Sequence, residues 1–295
     1  MPLKFNTKDL TLTWGARTYV MGILNATPDS FSGDGLMTQD DMIRTALDYA
    51  HQAAAAGVDI LDVGGESTRP GADPVDADEE IRRVIPVIQA LTAAFDDLLI
   101  SIDTYKAEVA AAALDAGADL VNDVWGLRAD PELGEVIKDR NAPVILMHNR
   151  SNPKTAEVRD RLGGRYVGVD YVDLLEDIKR ELMESVTLAR ASGIDDSRII
   201  LDPGIGFGKT VAQNLTLLNR LDEIRSLGYP ILMGPSRKSF IGYTLDLPPD
   251  QRVEGTAAAI AVGITRGADI IRVHDLPEMV RVARMADAII RPPIS

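Results

Sequence analysis

The chain is 295 residues long, 45% hydrophobic, free of cysteine and carries a net charge of −14. No cysteine means no disulfide scaffold, thiolate metal site or cysteine nucleophile, and it fits a cytoplasmic setting. An acidic surface repels phosphate backbones and anionic lipids, no apolar run reaches the roughly 20 residues a bilayer demands, and Met1–Asp9 lacks the basic-then-apolar shape of a secretion signal, so neither nucleic acid nor a membrane is an expected partner.

In chain order, Leu10–Tyr19 comes first. With the turn-like Trp14-Gly15-Ala16-Arg17 it reads as a hairpin covering the bottom of the fold. Short apolar runs then alternate with longer Ala-rich ones. The strand-like runs are Val20–Leu24, Asp59–Val63, Leu99–Ile102, Leu120–Val121, Val144–Met147, Ile199–Leu201, Ile231–Met233 and Ile270–Val273. Their near-continuous apolarity is that of strands buried on both faces. Between them, Asp40–Ala56 carries Met42, Ile43, Ala46, Leu47, Tyr49 and Ala50 on one side and stops at Gly57. Ala77–Ala94, Lys106–Ala116, Pro131–Arg140, Val169–Ser192, Val211–Leu227, Val253–Arg266 and Pro277–Ala288 behave alike. βα units in series predict a parallel sheet closed into a (β/α)8 TIM barrel, an α/β fold with an N-terminal hairpin. An open doubly wound sheet is the alternative, but the composition has no break. A single domain over 1–295 is expected, hairpin at about 9–20 and barrel at about 20–290.

A phrase recurs where helices end: Ala-Gly-Val-Asp at 56–59, Ala-Gly-Ala-Asp at 116–119 and Arg-Gly-Ala-Asp at 266–269. It reads as punctuation, with each glycine a left-handed cap. One connection is long: His148 to Gly168 holds Arg150, Lys154, Arg159, Arg161 and Arg165, and reads as a solvated basic loop or a mobile lid.

In such barrels function sits at the C-terminal strand ends. All eight ends carry polar groups: Asn25, Gly64–Arg69, Asp103-Thr104, Asn122-Asp123, His148-Asn149, Asp202–Lys209, Gly234–Ser239 and Arg272–Asp275. The strand interiors read as almost free of them. Asp103, Asn122, Asp202 and Lys238 suit a flat heterocycle with an amino-pyrimidinone edge, because buried carboxylates need donors. Arg69, Arg237, Arg272 and His274, with Ser236, suit a phosphate or pyrophosphate. Singly, each has a plain reading: Asp103 as a helix cap, Asn122 as a turn residue, Asp202-Pro203-Gly204 as a turn. The Gly204–Lys209 run lacks the order of a nucleoside-triphosphate loop. His148 and His274 leave a two-histidine metal site open, with no zinc-type spacing behind it.

Met21–Ser32 and Asp62–Ala72 resemble the first two signatures of the dihydropteroate synthase family. Ser101–Thr104, Val121–Asp123, Asp202–Lys209, Ser236–Ser239 and Arg272–Asp275 match further blocks in order, over about residues 15 to 285. The resemblance implies condensation of a dihydropterin pyrophosphate with p-aminobenzoate in folate biosynthesis. It implies that Asp103, Asn122, Asp202 and Lys238 hold the pterin, with Met147 and Phe207 packed nearby. Asn25, Arg69, Arg272 and His274 would hold the pyrophosphate, and Asn25 would ligate Mg²⁺. Phe31, Thr68, Arg69, Pro70, Phe207, Ser236 and Lys238 would frame the p-aminobenzoate. Asp103, Lys238, Arg272 and His274 would serve catalysis, with a homodimer formed through the last helices. Two blocks depart from the pattern: Met147-His148-Asn149 where Met-His-Met is usual, and Ser32-Gly33-Asp34-Gly35 in the first loop. A folate-dependent methyltransferase barrel and a non-catalytic pterin-binding protein are the competing readings.

Overall fold

The computed structural model describes residues 3–4, 8, 10–26, 38–66, 75–152, 155–159, 161–167 and 170–291. Eight parallel strands form the central sheet: β3 (Tyr19–Asn25), β4 (Ile60–Gly64), β5 (Leu99–Asp103), β6 (Leu120–Asp123), β7 (Val144–Met147), β10 (Ile199–Asp202), β11 (Leu232–Met233) and β12 (Ile270–Val273). Their order is β10-β7-β6-β5-β4-β3-β12-β11, and a parallel bridge between Leu201 and Ile231 joins the two outer strands. The chain is thus a (β/α)8 TIM barrel. Five of the strands run one or two residues past the expected C-terminal ends, because the polar residues there still pair.

Strand alternation sorts the side chains into layers. Met21, Ile60, Leu99, Leu120, Ile145, Ile200, Leu232 and Ile270 point inward, one per strand, and seal the lower barrel. The alternate residues, among them Val20, Leu61, Ile100, Val121, Leu146, Leu201 and Ile271, pack outward against the helices. Burying two such apolar layers supplies the main favourable term in folding.

The helices are α1 (Gln39–Ala56), α2 (Ala77–Ala94), α3 (Ala107–Asp115), α4 (Leu133–Asp139) and α5 (Leu174–Ala191), within two residues of the expected ends except that α5 starts at Leu174, where Asp173 caps it, and not at Val169. The expected helix 211–227 is two, α6 (Val211–Asn219) and α7 (Leu221–Arg225), because Arg220 leaves helical geometry at φ −116°, ψ 29°. A short helix not expected from sequence, α8 (Ser239–Leu245), precedes α9 (Val253–Thr265) and α10 (Leu276–Ile290). Its 7 residues, about two turns, carry too little periodicity to read. Among the described residues no helix is long and apolar enough to cross a membrane.

The recurring helix-end phrase has a second half that sequence did not disclose. Gly57, Gly117 and Gly267 take the left-handed conformation. The aspartate two residues on then accepts the N–H of a neighbouring strand: Asp59 from Val20, Asp119 from Ile100 and Asp269 from Ile231, at 2.8–2.9 Å. Each phrase ends a helix and ties two strands at the barrel bottom.

The N-terminal hairpin is there, in a different register. β2 (Thr11–Leu12) pairs antiparallel with β1 (Leu3–Lys4), and Trp14–Arg17 is the turn leading into β3. Leu3 and Leu12 pack on the lower barrel layer, which places the hairpin over the bottom as expected.

The basic connection is more than an irregular loop among its described residues. It holds a second hairpin, β8 (Ala156–Arg159) with β9 (Gly163–Tyr166), and its described arginines meet carboxylates or rings of the protein. Arg165 pairs with Glu157 at 3.0 Å and lies over the Tyr243 ring, Arg161 pairs with Asp246, and Arg150 pairs with Glu181. Arg252, 2% exposed, donates to the carbonyls of Leu162, Arg237 and Leu247 and so joins this hairpin to α8. Lys154 lies outside the described residues.

Candidate active site

The barrel alternation that builds the apolar floor also builds the site. Two residues beyond the floor, the inward positions are Ile23, Asp62, Ser101, Asn122, Met147, Asp202, Gly234 and Arg272. Two further on, β3, β4 and β5 end in Asn25, Gly64 and Asp103. A largely polar layer therefore lies directly on an apolar one, inside the barrel.

Arg272 is the centre of that layer. Its Nε donates to Asp62 at 2.6 Å and its Nη2 to Asp103 at 2.7 Å. Asn122 donates to the same Asp62 oxygen at 2.9 Å. Asp62 is fully buried, and its other oxygen has no partner. Sequence reading missed Asp62 as a site residue because it treated strand interiors as apolar. The available signal was its spacing: it stands two residues after inward Ile60.

The plain readings resolve one by one. Asp103 does not cap α3, whose first N–H, on Ala107, is taken by Asp130 at 2.8 Å. Asn122 is no turn residue. Asp202 does both jobs: Oδ1 accepts the Gly204 N–H at 2.7 Å, while the carboxylate faces the barrel mouth. Gly208-Lys209-Thr210 is a helix start, with Thr210 and Gln213 forming a reciprocal cap for α6. Thr210 thus spends its hydroxyl on backbone. Arg237 is paired with Asp275 and is not grouped with Arg272. His148 faces Lys209 and Glu181 through its two ring nitrogens, and His274 Nδ1 lies 3.1 Å from Ser236 Oγ, so the two histidines share no metal. Phe31, Thr68, Arg69 and Pro70 lie outside the described residues.

Lys238 stands above Asp202. Its ammonium lies 4.4 Å from the Phe207 ring centroid and donates to the Ile205 carbonyl. The Gly204–Gly208 loop that supplies both partners is tightly held. Gly204 has φ +69°, and a Cβ there would stand 1.8 Å from the His148 carbonyl oxygen. Gly204→Ala is expected to destabilise the protein by about 3 kcal/mol, combining left-handed strain with overpacking. Urea denaturation checks this; a midpoint equal to the parent's would mean the loop yields freely.

Burial governs the electrostatics. It pushes Asp103 up to about 7, helped by neighbouring Asp62 and opposed by Arg272. It raises Asp202 as well, against the pull of Lys238. It lowers Lys238 to about 8, although Asp202 acts the other way. Arg272 stays charged because Asp62 and Asp103 outweigh its burial.

For a cation, Asn25 at the end of β3 offers an oxygen donor. Gly64 lies between it and Asp103: a Cβ on Gly64 would be 3.9 Å from Asn25 Oδ1 and 3.8 Å from Asp103 Oδ2. No cluster of three His, Asp or Glu exists among the described residues. That donor set suits Mg²⁺, which binds through one or two protein ligands plus substrate phosphate oxygens and water.

Comparison with known proteins points the same way. Residues 21–274 match the family model described as pterin binding enzyme. The dihydropteroate synthase of Clostridium beijerinckii is 47% identical over 290 residues, covering 98% of this chain and 100% of that one. That of Synechocystis sp. is 50% identical over 279 residues, covering 94% and 92%. Among solved structures, the dihydropteroate synthase of Clostridium difficile in the presence of pteroic acid superposes with a TM-score of 0.85 at 48% identity, covering 94% and 98%. The Xanthomonas albilineans dihydropteroate synthase with 4-aminobenzoic acid superposes at 0.86 and 40% identity, covering 99% of both chains.

Proposed function

The chain belongs to the dihydropteroate synthases of the pterin binding enzyme family, and from that premise we propose that it condenses 6-hydroxymethyl-7,8-dihydropterin pyrophosphate with p-aminobenzoate, releasing 7,8-dihydropteroate and pyrophosphate. The observation that carries the reading is the polar layer itself. Asp62, Asn122, Asp202 and Arg272 are sunk in a closed barrel beneath Asp103 and Lys238. Burying charge there destabilises the free protein, and a flat ligand rich in donors offsets that by bonding it.

Asp202 and Asn122 hold the amino-pyrimidinone edge, with Lys238 on a ring nitrogen or carbonyl and Met147 and Phe207 against the ring. Arg272 and His274 serve the pyrophosphate end and Ser236 the p-aminobenzoate side, as the family resemblance implies. The bond from the exocyclic methylene carbon to the pyrophosphate oxygen breaks. The electron-rich ring carries the resulting positive charge, which the Asp103 carboxylate favours. The amine nitrogen of p-aminobenzoate forms the new C–N bond and releases one proton. Mg²⁺ held by Asn25 Oδ1, pyrophosphate oxygens and water would supply charge neutralisation for the departing group. Phe31, Thr68, Arg69 and Pro70 complete the p-aminobenzoate side, as the family resemblance implies.

Exposed apolar side chains on α9 and α10, Val262 at 44%, Met285 at 63% and Ile289 at 66%, support a homodimer through these helices. Light scattering tests that assembly.

Pyrophosphate release tests the function. It is expected only with the pterin pyrophosphate, p-aminobenzoate and Mg²⁺ together. Binding of the pterin without release would leave a binding-only protein. The pH profile is a second check. Catalysis needs Asp103 ionised, so kcat/KM rises with pH through about 7. It needs Lys238 charged, so kcat/KM falls as pH passes about 8. A narrow bell is expected between the two, and a flat profile from pH 6 to 9 would remove Asp103 and Lys238 from these roles.

A further inference from the structure

Close to Asp202 lies a cluster of ionisable side chains that the proposed reaction does not use. Lys209 is 2% exposed, yet its ammonium meets three acceptors: His148 Nδ1 at 2.9 Å, the Gly204 carbonyl at 2.8 Å and the Phe207 carbonyl at 3.1 Å. An ammonium has three donors, and all are placed. His148, 1% exposed, turns its Nε2 to Glu181 at 3.1 Å. Arg150 grips the same carboxylate and lies 4.1 Å from the Tyr171 ring centroid, whose hydroxyl donates to the Gly208 carbonyl at 3.1 Å.

The two carbonyls that Lys209 takes are the first and fourth of the loop Gly204-Ile205-Gly206-Phe207. That loop belongs to no helix or strand, and its glycines 204, 206 and 208 all have positive φ. Its upper side presents the Ile205 carbonyl and the Phe207 ring, the two groups that seat the Lys238 ammonium. A path of direct contacts thus runs Glu181, His148, Lys209, loop, Lys238.

We propose that Lys209 is a positioning residue, oriented by His148 and Glu181, that fixes the Gly204–Gly208 loop and through it the Lys238 ammonium over the pterin. This rests on the synthase reading above. The bonding also sets the state of His148. Glu181 as a carboxylate needs a proton on Nε2, which leaves Nδ1 as an acceptor from Lys209. Burial pushes Lys209 well below the usual ammonium range; with three acceptors placed around Nζ, the amine keeps the shared proton. Burial and Lys209 keep the imidazole down at about 3, against Glu181. The charged and titratable groups around the ring are Lys209 from the loop after β10, Glu181 and Tyr171 from the α5 side, Arg150 from the segment after β7 and Arg128 from the turn after β6.

The test compares His148→Gln with His148→Leu and reads the imidazole of the parent protein by nitrogen NMR. Glutamine can accept from Lys209 and donate to Glu181; leucine can do neither. His148→Leu is expected to raise KM for the pterin pyrophosphate about tenfold or more, with a smaller change in kcat, the scale of one lost buried charged hydrogen bond. It should also displace the alkaline limb of the pH profile, which reports Lys238. His148→Gln is expected to recover KM to within about threefold. In the parent protein the imidazole should carry its proton on Nε2 and not titrate between pH 5 and 8. Equal impairment by glutamine and leucine would reduce His148 to a packing residue and overturn the proposal, as would an imidazole that titrates normally. Absent turnover in the parent protein overturns the synthase reading instead, and the NMR result then still stands on its own.

Discussion

Asp202→Asn is expected to lower kcat/KM for the pterin pyrophosphate by about a thousandfold. Asp202 is 6% exposed at the C-terminal end of its strand, and in the proposed reaction its carboxylate accepts two ring donors. Each charged hydrogen bond contributes about 1.5–3 kcal/mol, so losing their ionic character removes about 4 kcal/mol, or three decades. A second effect adds to this. Asp202 acts to raise Lys238, so without it the lysine is neutral at lower pH. Asparagine keeps the oxygen that accepts the Gly204 N–H, so the turn should persist. Stability should move the other way. Burial raises Asp202 above the usual carboxylate range, so its contribution is present at low pH and is lost as pH rises through the raised value. At pH 8 the ionised group burdens the fold, and the variant should melt no lower than the parent. Steady-state kinetics and calorimetry of pterin binding read the first effect, and a melting curve reads the second. Unchanged pterin affinity would remove Asp202 from the pocket.

Arg272→Met is expected to be the most destabilising change at the site. It leaves Asp62, fully buried, and Asp103, 12% exposed, without the guanidinium they share. Breaking a buried pair from one side costs about 3–5 kcal/mol, because the remaining charge has no partner. For a chain of this size that is a melting shift of roughly 10 °C. The dependence on pH separates charge from packing. With Arg272 present Asp103 already stands at about 7. Without it, Asp103 takes up its proton at still higher pH, and a protonated carboxyl tolerates burial. A group so raised contributes stability below its unfolded value and loses it as pH climbs through the folded one. The part of the defect that comes from Asp103 should therefore be slight at pH 5 and full at pH 8. Melting curves of both proteins at the two pH values decide it; an equal deficit at both would mean that Arg272 acts by packing alone.

Much of this molecule was legible in its residue order. Short β-branched runs and Ala-rich helices in series determined the barrel, since a strand buried on both faces and a helix buried on one have different periods. Polar residues at every strand end determined which end holds the site, and Asp103, Asn122, Asp202, Lys238 and Arg272 do meet there. Tertiary structure alone decided the partners. Asp62 and Arg272 are 210 residues apart, and only closure of β4, β3 and β12 side by side brings them to 2.6 Å. The same closure left Arg237 with Asp275, spent the basic 156–166 segment on the protein's own carboxylates and rings, and buried Lys209 against His148. Periodicity is a local property and survives in one dimension; which charge neutralises which depends on strand order and register, and those are set only when the sheet closes.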